Sequence, residues 1–372
     1  MSLRLVALVL FTALTLAACA TSPTPIPPTA APIPTSNSGV VQPQQPPTSN
    51  LEVIKTYLLT KTTALKSSSA QLAAAGQRYY DLAKDANFDY TALWNTKRPE
   101  VTTAITDARA AWKQASPTYE QMEGIVAGVS SLSSFDTNLD AGTSAAEGGD
   151  NVVTFDLKLP DGRVLEKPGN LFGITESTLW GTDPNYSTNV KADFNNNGQN
   201  DLGDILPEAN ILSSSTAQLN QFAIELDHAA NQWQPTDSDA FTALVANVPT
   251  VGDFFESWKT SRFVLGDQAT HDDFVVISRL SDIVDNISSW QAIYSGISPT
   301  IAQADPAQDA QIQKGLNDLK AYVSDIYQKE QNGKRFTPEE ADTLSVEAQN
   351  RATAIAGQLA QIAAQLNIPI KE

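Results

Sequence analysis

Asp193, Asn195, Asn197, Gly198, Asp201 and Asp204 occupy positions 1, 3, 5, 6, 9 and 12 of a twelve-residue stretch. That is the spacing at which an EF-hand-type loop turns oxygens onto calcium. A hard cation takes roughly six to eight oxygens, and alternate residues of a tight loop aim carboxylate and amide oxygens inward. Gly198 permits the bend, Gln199 offers its backbone carbonyl, and Asp201 binds through water. Asp204 stands where a bidentate Glu is usual, and three carboxylates give a Kd on the order of 10⁻⁴ to 10⁻³ M. The other reading is an Asn/Gly-rich surface turn, for which this composition is ordinary.

Other reactive side chains are scarce. The chain has one cysteine, Cys19, and two histidines, His228 and His271. It has no HExxH and no GxSxG motif, and nothing beside either histidine nominates a serine for a triad. The expectation is a protein that is not an enzyme. His228, in Glu225-Leu226-Asp227-His228, reads as a surface-facing helix residue.

Cys19 closes a different pattern. Residues 1–18 carry one basic residue, Arg4, then an apolar run ending Leu16-Ala17-Ala18 before the cysteine, a lipoprotein signal peptide with its lipobox. A lone cysteine in an exported chain has no internal disulfide partner, so lipidation at Cys19 accounts for it; a cleaved signal with a free thiol is the alternative. The apolar run is too short for a permanent span. Residues 19–50 lack charge and are dense in Pro, Thr, Ser and Gln, the composition of an extended spacer. The expected location is extracytoplasmic, on a bacterial envelope, with membrane lipid held through Cys19.

With 42 acidic against 24 basic residues the formal charge is −18. No phosphate-neutralising patch with interleaved aromatics occurs, which argues against nucleic acid as a partner. Acidic surface attracts cations and also keeps secreted proteins soluble.

Residues 51–372 must position whatever site exists, and their period is helical. Leu51, Ile54, Leu58 and Leu65 open one amphipathic helix. Arg98-Pro99-Glu100 reads as the start of another through Ile105, Ala108 and Trp112, which Ser116-Pro117 should kink or break. Further helices are predicted over 212–233, 239–258, 273–294, 307–327 and 338–366, with Leu316, Leu319, Val323 and Ile326 marking a buried face. Asn332-Gly333 reads as a stop and Thr337-Pro338-Glu339-Glu340 as a capped start. The fold class is all-α, in antiparallel bundles. An insertion over about 141–204 breaks the pattern: Val153, Phe155, Leu157 and Leu159 alternate, Pro160-Asp161-Gly162 turns, and Val164 and Leu165 return, a β-hairpin that serves binding or acts as a structural flap.

The runs SPTYEQMEGIVAGVSSLSSFDTNLDAG, FGITESTLWG and SRLSDIVDNISSWQAIYSG resemble the imelysin-like family, which includes the EfeO/EfeM-type lipoproteins of bacterial iron uptake. The resemblance covers most of the chain after Leu51. It implies two related helical bundles with a metal site between them. Residue by residue, it nominates Glu123, Asp140 and Glu176 as ligands, with Asp136 as the other member of an acidic pair. The family's His-x-x-Glu signature falls on residues 173–176, where Gly173 replaces the usual His and supplies no ligand. His271 resembles a Ser-His-x-Asp-Leu segment and could stand in as a ligand. A second alignment puts Ser278-Arg279-Leu280-Ser281-Asp282 there, followed by Asn286, and leaves His271 in a loop.

Two functions follow as expectations. One is a non-catalytic lipoprotein that binds iron or another cation and presents it to a membrane permease or peroxidase. The other is a calcium-stabilised surface adhesion module whose metal cleft is vestigial. An imelysin-type peptidase is a third, minor alternative.

Overall fold

The computed structural model describes residues 48–269 and 274–371. The lipobox Cys19, the signal segment, most of the spacer and His271 lie outside the described residues.

Helix α1 (Leu51–Asp85) follows its heptad-like spacing, burying Ile54, Leu58, Leu65, Leu72 and Tyr79. It ends where Asn87 and Phe88 take positive φ and the Phe88 N–H returns to the Ala83 carbonyl at 2.7 Å. Asp89 then caps α2 (Tyr90–Val126) by accepting from the Ala92 N–H at 2.9 Å. Lys97 breaks the helical geometry of α2 (φ −131°, ψ 26°), so the segment opened by Pro99 is the second half of a kinked helix, as Arg98-Pro99-Glu100 suggested. The break expected at Ser116-Pro117 does not occur: the helix runs through Pro117. The carbonyl that proline leaves without a helical N–H belongs to Lys113, an exposed residue.

Two bundles are built on this frame. In the first, α1 lies along α2 and along α5 (Ala209–Gln232). The second holds α6 (Asp237–Asn247), α7 (Val251–Thr260), α9 (Arg279–Ala304), α10 (Pro306–Gln331) and α11 (Pro338–Gln365), with a short α8 (Arg262–Leu265) beside α7. The helix predicted over 239–258 is two, because Val248-Pro249-Thr250 forms a 3-10 turn in which Pro249 offers no N–H to continue an α-helix. The helix expected from Asp273 starts six residues later. Phe274 has φ 51° and Ser278 caps α9 through the Leu280 N–H. The face predicted on α10 is fully buried, and Thr337 with Glu340 forms the predicted capping box of α11.

Between α2 and α5 the chain forms α3 (Ser133–Asp136), which continues as a π-helical turn over Thr137–Ala141, and α4 (Leu171–Trp180). Two small antiparallel pairs flank α4. Strand β1 (Leu157–Lys158) pairs with β2 (Val164–Leu165), the predicted hairpin, and β3 (Ser187–Lys191) pairs with β4 (Ile205–Pro207).

One hydrophobic core runs through both bundles, and α2 and α9 are its seam. Gly124 makes that seam close. A Cβ there would stand 2.3 Å from Ser289 Oγ and 2.6 Å from Trp290 Cδ1. Replacing Gly124 by Ala must therefore push α9 away from α2, at a cost of about 1 to 3 kcal/mol for overpacking. Urea denaturation of Gly124→Ala should show that loss; unchanged stability would mean the seam relaxes freely.

Candidate metal centre

Helix α2 presents Glu120 and Glu123 one turn apart on the face turned to α9, and both are buried. The π-helical turn after α3 delivers buried Asp140 to the same place. One carboxylate oxygen from each of Glu120, Glu123 and Asp140 lies within 4.8 Å of the other two. Asn286, two turns into α9, ties the pair on α2 together: its Nδ2 donates to Glu120 at 2.9 Å and to Glu123 at 2.6 Å. Asp136 is buried beside them and accepts from the Tyr119 hydroxyl at 2.8 Å.

The counter-charge comes from the first turn of α9. Arg279 Nη1 donates to Asp282 at 2.9 Å and stands 3.6 Å from Glu120 Oε1. Its guanidinium is stacked on Phe274 at 3.7 Å and on Phe254 at 4.6 Å. Burial and the nearby Asp282, Asp140 and Glu123 raise the Glu120 carboxyl well above its usual range, against the pull of Arg279. Asp136 is raised in the same way, by burial and then by Glu123 and Asp140. Burial pushes Asp282 up to about 7 despite its bond to Arg279.

Glu123, Asp136 and Asp140 floor an open cleft of about 820 Å³, which also reaches Asp253, Phe254 and Trp290. Behind them a chamber of about 10 Å³ is walled by Glu120, Asp140, Asp282, Glu176 and Gly173. That is room for about one water-sized occupant. Asp282 Oδ1, fully buried, has no hydrogen-bond partner. An all-oxygen donor set with an orphaned carboxylate oxygen fits a hard cation better than a soft one.

The residues nominated from sequence are thus distributed unevenly. Glu123 and Asp140 meet, and Asp136 adjoins them. Glu176 lies on the chamber wall, but its carboxylate accepts the N–H groups of Phe274, Val275 and Val276 at 2.8, 3.1 and 3.1 Å, so it clasps backbone. Gly173 also lines the cleft, in the first turn of α4, where its N–H bonds the capping Asn170 side chain. Arg279, Asp282 and Asn286, the residues of the second alignment, sit against the acids. Sequence reasoning missed Glu120; its signal was the i, i+3 spacing to Glu123 beside the aromatic Tyr119. His228 is exposed on α5.

The loop over 193–204 joins β3 to β4. Asp193 accepts the N–H groups of Asn197 and Gly198 at 3.1 and 2.9 Å, and Asn197 Oδ1 accepts that of Gln199 at 2.7 Å. Asn195 and Asn197 both donate to Asp201 Oδ2, at 2.9 and 2.7 Å, while Asp204 Oδ2 accepts from the Asp201 N–H at 2.9 Å. Side chains of positions 1, 3, 5, 9 and 12 therefore all turn into the loop. The loop is tied down by Arg98, which donates to the Asp193 carbonyl at 2.6 Å, by Arg109 on the Gly203 carbonyl at 2.6 Å, and by Phe194 against Trp94.

A protein-family model described as Imelysin (Peptidase_M75) matches residues 55–362. A search of curated proteins gives no match.

The raised carboxyls set a pH dependence. Each binds its proton more tightly folded than unfolded, so the folded chain holds more protons between the ordinary carboxylate range and about 7, the value for Asp282. Their contribution to stability is therefore lost as pH rises through that window and regained as it falls. Scanning fluorimetry in the presence of chelator should show a melting temperature that drops toward neutral pH, with a shallower drop in Asp282→Asn. Equal slopes in the two proteins would show that Asp282 does not titrate there.

Proposed function

We propose that this chain, which belongs to the imelysin family, binds a metal cation at Glu120, Glu123 and Asp140. In this reading it is a non-catalytic, cell-surface lipoprotein of iron or other cation uptake, anchored through Cys19, that presents its cargo to a membrane permease or peroxidase. One observation carries the metal reading. Among the described residues, five buried carboxyl groups (Glu120, Glu123, Asp136, Asp140 and Asp282) share a seam in which the opposing cation is Arg279. Buried charge is stable only when paired or coordinated, and a cation would engage Asp282 Oδ1, which has no hydrogen-bond partner. Asn286, whose amide now bridges Glu120 and Glu123, adds a carbonyl oxygen to the possible donors. Absence of the HExxH and GxSxG patterns, with His228 exposed on α5, supports a role in holding rather than hydrolysing.

A second reading keeps a specific observation in its favour. Glu176 is spent on three backbone N–H groups, and Gly173 has no side chain to offer. A centre so reduced fits a calcium-stabilised adhesion module, in which the 193–204 loop is the metal site that matters.

Titration calorimetry of the purified protein with ferric citrate, Zn²⁺, Cu²⁺ and Ca²⁺ separates the two. Ferric or transition-metal binding, lost in Glu120→Ala/Glu123→Ala, is the expected outcome. Calcium binding alone, indifferent to those substitutions, would put the module in its place. Calcium at the loop should raise stability by about 1 to 3 kcal/mol at concentrations well above Kd. Asp193→Ala/Asp204→Ala should abolish that gain in a thermal melt, and a melting shift that survives both substitutions would remove the loop assignment.

A further inference from the structure

Arg279 occupies an unusual position for a cation beside a proposed cation site. Its side chain is almost wholly buried and ion-paired to Asp282 at 2.9 Å, with Glu120 at 3.6 Å. The acids alone do not hold it. Phe274 and Phe254 both stack on its guanidinium, and Ser278 caps the helix turn from which it springs. Phe274 is itself fixed by the Glu176 clasp on its N–H, in a left-handed backbone conformation with φ 51°. Arginine stays protonated at any physiological pH. The seam therefore carries a permanent positive charge, pinned by aromatic faces and not free to leave when a second cation arrives.

Next to it the acids keep capacity in reserve. The buried Asp282 Oδ1 has no hydrogen-bond partner, and Asp282 lines the chamber shared with Glu120 and Asp140. Arg279 thus engages one oxygen of Asp282 and leaves the other unbonded.

The geometry points to Arg279 as a selectivity residue: a built-in counter-cation that holds the acids together in the empty protein and weakens cation binding in proportion to the charge of the ion. This inference rests on the metal reading of Glu120, Glu123 and Asp140. Coulomb repulsion between a fixed unit charge and a bound ion scales with the ion's charge, so Arg279 opposes a trivalent cation half as strongly again as a divalent one. For a protein that must hand its cargo on, a resident competitor keeps the affinity below what five carboxyls would otherwise give.

The test compares Arg279, Arg279→Gln and Arg279→Lys in the full-length chain. All three carry Asp193→Ala/Asp204→Ala, so that the loop does not contribute. Mn²⁺ binding is read by calorimetry and Tb³⁺ binding by sensitised luminescence, with far-ultraviolet circular dichroism to verify folding. Arg279→Gln should tighten Mn²⁺ about ten-fold and Tb³⁺ roughly thirty-fold, the ratio expected from ion charge, while lowering the melting temperature of the metal-free protein. Arg279→Lys, which keeps the charge without the fork and the stacking plane, should stay within about two-fold of the parent. A folded Arg279→Gln that binds both ions no better than the parent, or gains equally for both, overturns the inference and leaves the metal site standing. Should Arg279→Gln not fold, the lysine variant decides: parental affinity supports the charge role, and a ten-fold loss overturns it. Failure of every folded chain to bind either ion overturns the metal reading itself, and the inference with it.

Discussion

Like charge buried between two bundles is the constraint on which this architecture turns. Carboxyl groups on α2, on the π-helical turn and on α9 are taken out of water together, and repulsion among them must be offset by packing on either side. The close approach at Gly124 supplies that packing, since it lets Trp290 and Ser289 of α9 lie directly on α2. Asn286 and Arg279 then convert proximity into bonding, one through an amide shared by two acids and the other through an ion pair braced by aromatic rings. Raised carboxyl pKa values are the visible cost of the arrangement.

Local signals in the sequence were faithful wherever a single element decided the outcome. The face of Leu316, Leu319, Val323 and Ile326, the capping box at Thr337 and Glu340, and the hairpin turning at Pro160-Asp161-Gly162 all appear as their spacing implied. Proline was the least uniform guide. Pro99 follows a kink and Pro249 divides two helices, whereas α2 runs on through Pro117. The start of α9 was misplaced because the positive φ of Phe274 depends on the Glu176 clasp, which comes from a helix nearly a hundred residues earlier in the chain. No local pattern encodes such a contact.

The candidate centre was half legible for the same reason. The structure brings the nominated Glu123 and Asp140 together, and Glu120 could have joined them from its one-turn spacing alone. That Glu176 binds backbone, while Asp282 and Asn286 reach the acids, is a matter of tertiary approach. The 193–204 loop is the opposite case, since its side chains bond one another within twelve residues.

The Asn286 amide bridges residues 163 and 166 positions away in the chain. During synthesis the residues of α1, α2 and the inserted hairpins are therefore made well before those of α9. Loop-closure entropy delays contacts of such separation during refolding as well. The acidic seam thus joins segments far apart in the chain, the kind of contact whose closure entropy is largest.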